Sequence, residues 1–174
     1  MHTSRKISYK SCSIIVPSVL GSRSCGSFAC AQGVIYILGN SMKLTGECFC
    51  GDIKYEINGK LRDARSCHCS RCRKAFSSQA SAYALVNPSE FRWVCGAELL
   101  IGYISKQGFG LQFCKQCGST LSGTYLNEIH GVTLGCLNED PCIEIGKHIF
   151  VGSKASWEVI PGGVPQYQEH APEE

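Results

Sequence analysis

The sequence predicts a mainly β domain with little helix that begins near residue 42 and is held together by metal-bound cysteines. Three observations predict it. Short apolar segments alternate with turn-forming residues at regular spacing, which is typical of all-β domains. Only one short segment has a helical pattern. The chain also has 13 cysteines among 174 residues, and seven of them stand in three tight clusters, which is typical of metal binding.

The strands are predicted from alternation. Ile53, Tyr55 and Ile57 alternate with charged residues, the period of a half-buried strand, and the Asn58-Gly59 pair after them predicts a tight turn. Short strands at this spacing indicate an all-β domain. Further strands are predicted at Ala80 to Val86, Phe91 to Cys95, Leu99 to Ile104, Phe109 to Phe113, Thr120 to Leu126, Val132 to Leu137 and His148 to Val151.

One helix and an irregular tail complete the predicted domain. Residues 70–76 have a helical pattern, with Ser70 as the expected N-cap. Residues 161–174 are rich in Gly, Pro and acidic side chains and predict an irregular arm that either drapes over the domain or frays. We therefore expect a zinc-binding domain over residues 42–170 and a tail at 171–174.

Residues 1–41 differ from the rest in composition. They are rich in Ser, carry Arg and Lys without any acidic residue, and lack a periodic apolar face, so we expect an unstructured extension. Three interpretations stay open: a transit peptide, a poor secretory signal, or upstream sequence translated from a start codon placed too early. We favour the last because Met42 leads directly into the first cysteine strand. Cys12, Cys25 and Cys30 are then incidental thiols.

The charge balance does not favour nucleic-acid binding. Of the 17 Lys and Arg residues, five lie in residues 1–46, which hold no acid, so 12 basic residues face 14 acidic ones from residue 47 onward. The folded part is therefore mildly acidic. No stretch approaches the roughly 18 apolar residues of a membrane span, and we expect none. Metal thiolates persist in a reducing compartment, which favours a cytoplasmic location.

Two cysteine pairs predict a structural metal site. The pairs are Cys48 with Cys50 and Cys114 with Cys117, and each pair is followed directly by a glycine. That glycine permits the positive-φ turn that aims backbone amides at metal-bound sulfur. Two such pairs supply the four thiolates of a closed tetrahedral Zn²⁺ site. Buried thiols that act only as small hydrophobic side chains are the alternative interpretation.

Cys67, Cys69 and Cys72 form the third cluster and supply only three thiolates. Three protein ligands with an open fourth position are typical of a reactive metal, and three thiolates suit Zn²⁺ to hold an incoming thiol as thiolate. His68 is an alternative ligand, but in an extended segment its ring points away from its cysteine neighbours, which favours a supporting role. Four basic residues either offset the negative charge or form a solvated face: Arg65, Arg71, Arg73 and Lys74.

Four blocks of the sequence resemble the glutathione-dependent formaldehyde-activating (GFA) family, which includes a centromere protein V branch. They are GECFCGDIKYEI at 46–57, CHCSRCRKAF at 67–76, FCKQCGSTL at 113–121 and HIFVGSKASW at 148–157, followed by GGVPQY. The blocks appear in family order, and all seven cysteine positions are intact. The departure from the family is the extension before Met42.

The resemblance implies a fold and an activity. It implies a β-tent-like fold of antiparallel sheets and two zinc ions per chain. It maps a structural zinc onto Cys48, Cys50, Cys114 and Cys117, and a catalytic zinc onto Cys67, Cys69 and Cys72. It also implies a carbon–sulfur lyase that joins glutathione to formaldehyde or a similar small aldehyde, giving S-hydroxymethylglutathione. The centromere protein V branch is associated with chromosome and microtubule binding instead.

Two other function classes stay open. The first is a zinc-stapled binding module without turnover, which a permanent fourth ligand such as His68 would indicate. The second is a thiol redox enzyme that uses Cys95, Cys136 or Cys142. Apolar neighbours disfavour those thiols as nucleophiles. Zinc deamination is excluded because no His-x-Glu precedes a Pro-Cys-x-x-Cys.

Overall fold

A computed structural model describes residues 43–172, and the extension predicted at residues 1–41 lies outside them. The described part is mainly β, with two sheets and one α-helix, α1 (Ser70–Phe76), which confirms the predicted fold class. Its strands are β1 Lys43–Glu47, β2 Lys54–Asn58, β3 Arg62–Cys67, β4 Ser81–Leu85, β5 Phe91–Cys95, β6 Leu100–Ile104, β7 Phe109–Cys114, β8 Thr120–Tyr125, β9 Glu128–Thr133 and β10 Lys147–Ile149.

The two sheets differ in size. The smaller has the strand order β1-β2-β5, and the larger has the order β10-β3-β4-β9-β8-β7-β6. Every strand pair is antiparallel, as predicted, except β10 with β3, which run parallel. The parallel pair aligns Ile149 with Cys67. It therefore brings the C-terminal part of the chain beside the three-cysteine segment.

The core is built on the inward face of β2. Ile53 precedes that strand, and Tyr55 and Ile57 lie on it; all three are almost fully buried. The Tyr55 ring stacks on Phe91 at 5.3 Å between ring centroids. A Cβ on Gly46 of the neighbouring β1 would collide with the Tyr55 ring, so the close approach of these strands requires glycine there. Each such buried side chain contributes roughly 1.5–3 kcal/mol to stability.

The hairpin between β8 and β9 places one strand differently from the prediction. Leu126 and Asn127 have φ of 50° and 71° and form a two-residue turn between the paired Tyr125 and Glu128. The turn starts β9 four residues before the predicted Val132, and a 3₁₀ turn follows it at residues 134–136. The prediction of one strand from Val132 to Leu137 was wrong, because the two-residue turn carries none of the usual glycine signal.

The chain also departs from the prediction after β2. Asn58 ends the strand, and the chain then crosses to the other sheet, so Gly59 forms a bend and not the tight turn of a hairpin. A Cβ there would meet the Glu90 carboxylate, the end of a flexible side chain that can move aside. The strand that follows, β3, was not predicted, because four of its six residues are polar or charged.

The C-terminal arm drapes over the domain, one of its two predicted behaviours. Within residues 165–169 it runs beside β10 and the turn that follows it. The Tyr167 amide donates to the His148 carbonyl at 2.9 Å, and the His148 amide donates to the Pro165 carbonyl at 2.9 Å. One edge of the large sheet is thereby covered. Among the described residues, none of the helices has the length and apolar character needed to cross a membrane.

Candidate metal centres

The four paired cysteines converge, as the spacing predicted. The sulfurs of Cys48, Cys50, Cys114 and Cys117 all lie within 4.8 Å of one another. The Cys50 sulfur is 3.3 Å from that of Cys48 and 3.8 Å from that of Cys114. Tetrahedral Zn²⁺ with Zn–S bonds of about 2.3 Å separates its sulfurs by roughly 3.8 Å. The four sulfurs therefore suit a closed thiolate site for such an ion.

Two matching turns aim backbone amides at this cluster. Gly51 and Gly118 each have φ of 77°, the conformation predicted for the glycine after each pair. The first sulfur of each pair accepts a backbone N–H, from Ile53 at 3.3 Å and from Gln116 at 3.4 Å. Hydrogen bonds from such donors stabilise thiolates, the form of cysteine that binds a metal ion.

The thiols of this cluster do not titrate alike. Burial raises the pKa of Cys50 and of Cys114 above its ordinary value. Burial also raises the pKa of Cys117, but hydrogen bonds from Ser119 and Cys50 outweigh it and bring that pKa to about 6. The Cys117 sulfur is thus favoured as thiolate, whereas Cys50 and Cys114 hold their protons more tightly, and a bound metal would displace those protons.

The three-cysteine cluster forms where β3 passes into α1. Cys67 ends the strand, Cys69 caps the helix and Cys72 lies in its first turn. Their sulfurs lie within 4.8 Å of one another. The Cys69 sulfur accepts the Cys72 backbone N–H at 3.3 Å. The prediction of Ser70 as N-cap was wrong, because the cysteine thiol takes the role of the capping oxygen and Ser70 is already helical.

Hydrogen bonding concentrates negative charge on one sulfur of this cluster. Hydrogen bonds from the thiols of Cys67 and Cys72 lower the pKa of Cys69 to about 2. Hydrogen bonding to Cys69 and Cys72, together with burial, raises the pKa of Cys67 far above its ordinary value. The hydrogen bond with Cys67 lowers the pKa of Cys72, but the contact with Cys69 and burial outweigh it, so this pKa is raised overall. Of the three sulfurs, that of Cys69 is therefore the one most readily held as thiolate.

His68 turns away from the sulfurs, as the extended geometry predicted. Its Nε2 lies 2.8 Å from Nδ1 of His148, and its Nδ1 lies 2.7 Å from a carboxylate oxygen of Glu158. The second contact has ion-pair distance but not hydrogen-bond geometry. His68 and Glu158 are both almost fully buried. Among the described residues, no fourth His, Cys, Asp or Glu joins the three-cysteine cluster.

A shallow basic cavity of about 320 Å³ lies at the other end of α1. Arg73 lies four residues after Cys69, and its Nη2 donates to the Ser153 carbonyl at 3.3 Å. Its Nε is buried and has no hydrogen-bond partner among the described residues. Lys74 is exposed, and the Trp157 ring is 69% exposed. Six residues line the cavity: Arg73, Lys74, Ser77, Ser78, Gln79 and Trp157.

Sequence reasoning did not single out His148, Glu158 or Trp157. All three lie in or beside the block at residues 148–157, whose role depends on the pairing of β10 with β3 across some eighty residues. The sequence offered one signal, a single acid, Glu158, between Trp157 and the apolar Val159 and Ile160. Of the proposed redox thiols, Cys136 is a poor nucleophile, because burial and the nearby Cys48 and Cys117 raise its pKa to about 11.

The chain has relatives among known proteins. A family model described as "Glutathione-dependent formaldehyde-activating enzyme" matches residues 43–153. A crystal structure of a Rhodobacter sphaeroides protein is similar, at 28% identity and a TM-score of 0.45; the match covers 70% of this chain and 98% of that one. No curated protein matches the chain.

Proposed function

The chain belongs to the glutathione-dependent formaldehyde-activating enzyme family, and from that premise we propose that it is a carbon–sulfur lyase acting on glutathione and formaldehyde or a similar small aldehyde. The reaction joins the thiol sulfur to the carbonyl carbon and gives S-hydroxymethylglutathione. The observation that carries the proposal is the convergence of Cys67, Cys69 and Cys72 within 4.8 Å without a fourth ligand atom among residues 43–172.

These three cysteines would hold the catalytic ion, and Cys48, Cys50, Cys114 and Cys117 would hold a structural one. A zinc ion with three thiolates keeps a fourth position in which an incoming thiol is held as thiolate near neutral pH. The three residues fit such an ion, because hydrogen bonding already favours the thiolate of Cys69. Their role as ligands is part of the proposal.

The buried histidine network would keep the three sulfurs in place. His68 stands between two of the cysteines, and its ring is fixed on one side by His148 and on the other by Glu158. The backbone directly after β3 is held as well, because the His68 amide donates to the Ile149 carbonyl at 3.0 Å. Removal of groups that orient metal ligands commonly lowers metal affinity by about 10–100-fold.

The basic cavity suits the rest of the glutathione molecule, a peptide with two carboxylates. Arg73 shares a helix face with Cys69, one turn further along. The face from Cys69 to Ser77 is about 12 Å long at 1.5 Å per residue, and an extended tripeptide spans roughly 10 Å. The thiol is on the central residue of glutathione and each flanking residue has one carboxylate, so roughly half of that span separates the thiol from each carboxylate. With the thiol fixed at the cysteines, one carboxylate would reach Arg73 and Lys74, and the Trp157 ring would form an apolar wall.

Addition of the thiolate moves an electron pair to the aldehyde oxygen, which then takes up a proton. Three cations are candidates to stabilise this oxygen: Arg71, Lys74 and Lys154. Lys154 is engaged, since its ammonium donates to the Glu158 carbonyl at 2.8 Å. Lys74 lines the basic cavity, whereas Arg71 is exposed between Cys69 and Cys72 in the sequence, and we assign the developing negative charge to Arg71.

The direct test measures the rate of adduct formation from glutathione and formaldehyde with purified, zinc-loaded protein. We expect a rate above the spontaneous reaction, proportional to protein concentration and absent in Cys69→Ser. A rate equal to the spontaneous one, in protein whose zinc content is two per chain, would reject the lyase and leave the zinc-stapled binding module. Cys142→Ser is the matched control, because Cys142 is exposed and belongs to neither cluster.

A further inference from the structure

The two edges of the large sheet are treated differently. The C-terminal arm covers β10, whereas among residues 43–172 no strand lies beyond β6. The side chains of β6 are apolar and open to solvent, with Ile101 44%, Tyr103 63% and Ile104 55% exposed. The strand has no charge, no proline and no bulge against β7. Charges, prolines and bulges normally prevent an edge strand from pairing with another chain, and β6 has none of them.

The backbone of β6 shows which groups are free to pair. On the β7 side, Ser105 donates to the Phe109 carbonyl at 2.7 Å, and the Leu99 carbonyl accepts from Lys115 at 3.0 Å. Odd-numbered residues of this segment therefore point their amides and carbonyls at β7. The even-numbered residues of β6, Leu100, Gly102 and Ile104, point theirs at the open edge.

We propose that β6 pairs antiparallel with β6 of a second copy of this chain, about a twofold axis at Gly102. The register follows from the free groups, because hydrogen-bonded residues must oppose one another. Gly102 then faces its own copy, and Leu100 faces Ile104 in both directions. An isologous interface of this kind closes as a dimer. The two sheets become one continuous sheet.

Charge at the strand ends supports antiparallel pairing. Glu98 lies in the 3₁₀ turn just before β6 and Lys106 in the turn just after it, so antiparallel pairing brings the Glu98 end of one copy to the Lys106 end of the other. Both side chains are exposed, and neither belongs to an ion pair among the described residues. The twofold axis repeats the arrangement, so opposite charges meet at both ends of the paired strands. A second copy is therefore complementary to this edge.

The test measures the mass of the zinc-loaded chain by light scattering over a range of concentrations. We expect a dimer whose dissociation constant rises at least tenfold in Glu98→Lys and in Lys106→Glu. The double variant should return to within about threefold of the unchanged chain, because the charge pairs are restored. Glu144→Lys is the charge-matched control. It is exposed in the loop before β10, at the opposite edge of the sheet, and should leave the dimer intact.

Gly102 gives a second arm that does not depend on charge pairing. A Cβ there meets nothing closer than the Leu111 carbonyl oxygen at 3.4 Å, so the fold accepts a side chain. Gly102→Lys sets two like charges against each other and should give monomer, whereas Gly102→Thr should keep the dimer. A chain that stays monomeric at 100 µM would overturn the proposal. So would a dimer insensitive to Gly102→Lys, or amide protection at β6 in a monomer, the sign that another segment of the same chain occupies the edge.

Discussion

The Cys69 side chain combines two structural roles. Its sulfur caps α1 by accepting the Cys72 amide, and it is the sulfur on which the three-cysteine cluster concentrates negative charge. A serine at this position keeps the capping role, because a hydroxyl oxygen is a preferred N-cap acceptor. The proposed metal role requires sulfur. Substitution can therefore separate the two roles.

We expect Cys69→Ser to lose one zinc per chain and all glutathione-dependent activity while keeping its melting transition. The cluster lies within six residues and closes no long loop, so its loss costs little stability. Cys69→Ala should lose the same zinc and, in addition, about 1 kcal/mol of stability with the cap. Metal analysis and thermal melting of the two variants check this. Global unfolding of Cys69→Ser would show that both ions are structural.

Lys74 tests whether the basic cavity recognises the peptide part of the thiol. Its ammonium is exposed beside the cavity and its removal disturbs no described hydrogen bond or ion pair. We expect Lys74→Ala to raise the KM for glutathione several-fold, because a contact to a carboxylate is lost. The KM for 2-mercaptoethanol, which has no carboxylate, should not change. Equal effects on both thiols would place Lys74 at the reacting atoms and not at the peptide.

At the scale of residues, the sequence predicted the seven clustered cysteines because chelating spacings are local. It did not predict the buried contacts of His68 with His148 and Glu158. Those contacts depend on a parallel strand pair across some eighty residues, and no local period reports such pairing. The cap was also missed, because cysteine is not among the usual capping residues.

Glu56 on β2 forms ion pairs with both neighbouring strands of the small sheet. The Glu56 carboxylate lies 2.8 Å from the Lys43 ammonium on β1 and also contacts the Arg92 guanidinium on β5. The hydrogen bond from Lys43 and the contact with Arg92 outweigh burial and hold the pKa of Glu56 below its usual range. One carboxylate thus ties together the three strands of this sheet.

This lowered pKa predicts an acid-sensitive contribution to stability. A folded-state pKa below the unfolded value of about 4.3 means that the contribution is present above that pH. It is lost as the pH falls through the folded pKa. In Glu56→Gln, the urea midpoint should be lower near neutral pH and should fall less steeply below pH 4.3 than that of the unchanged chain. Parallel pH profiles for the two chains would contradict it.

At the scale of elements, alternation predicted the position of most strands but not those whose limits depend on turns or partners. Phe91 to Cys95 was predicted with its true limits, because both ends carry clear turn signals. β3 is polar along most of its length and is held as a strand by its neighbours β4 and β10. Tertiary pairing therefore overrides local propensity there.

The four-cysteine cluster joins two turns that are 64 residues apart at Cys50 and Cys114. Structural zinc in small domains is worth roughly 10–16 kcal/mol, whereas whole domains are stable by about 5–15 kcal/mol. We expect Cys48→Ser to be insoluble or to lack a cooperative melting transition. The check is to measure thermal melting by circular dichroism and the zinc content of Cys48→Ser and Cys69→Ser side by side. A cooperative transition in Cys48→Ser, with one zinc retained, would contradict the stapling role.

The spacing of the cysteines also sets an order of events on the ribosome. The segment with Cys67, Cys69 and Cys72 leaves the exit tunnel complete, while the second pair of the four-cysteine cluster follows roughly 40 residues later, a delay of several seconds at ~5–20 residues per second. We expect nascent chains halted near residue 105 to bind one zinc ion, lost in Cys69→Ser. Two ions at that length would contradict it. The ion proposed for chemistry is thus captured before the ion proposed to hold the fold.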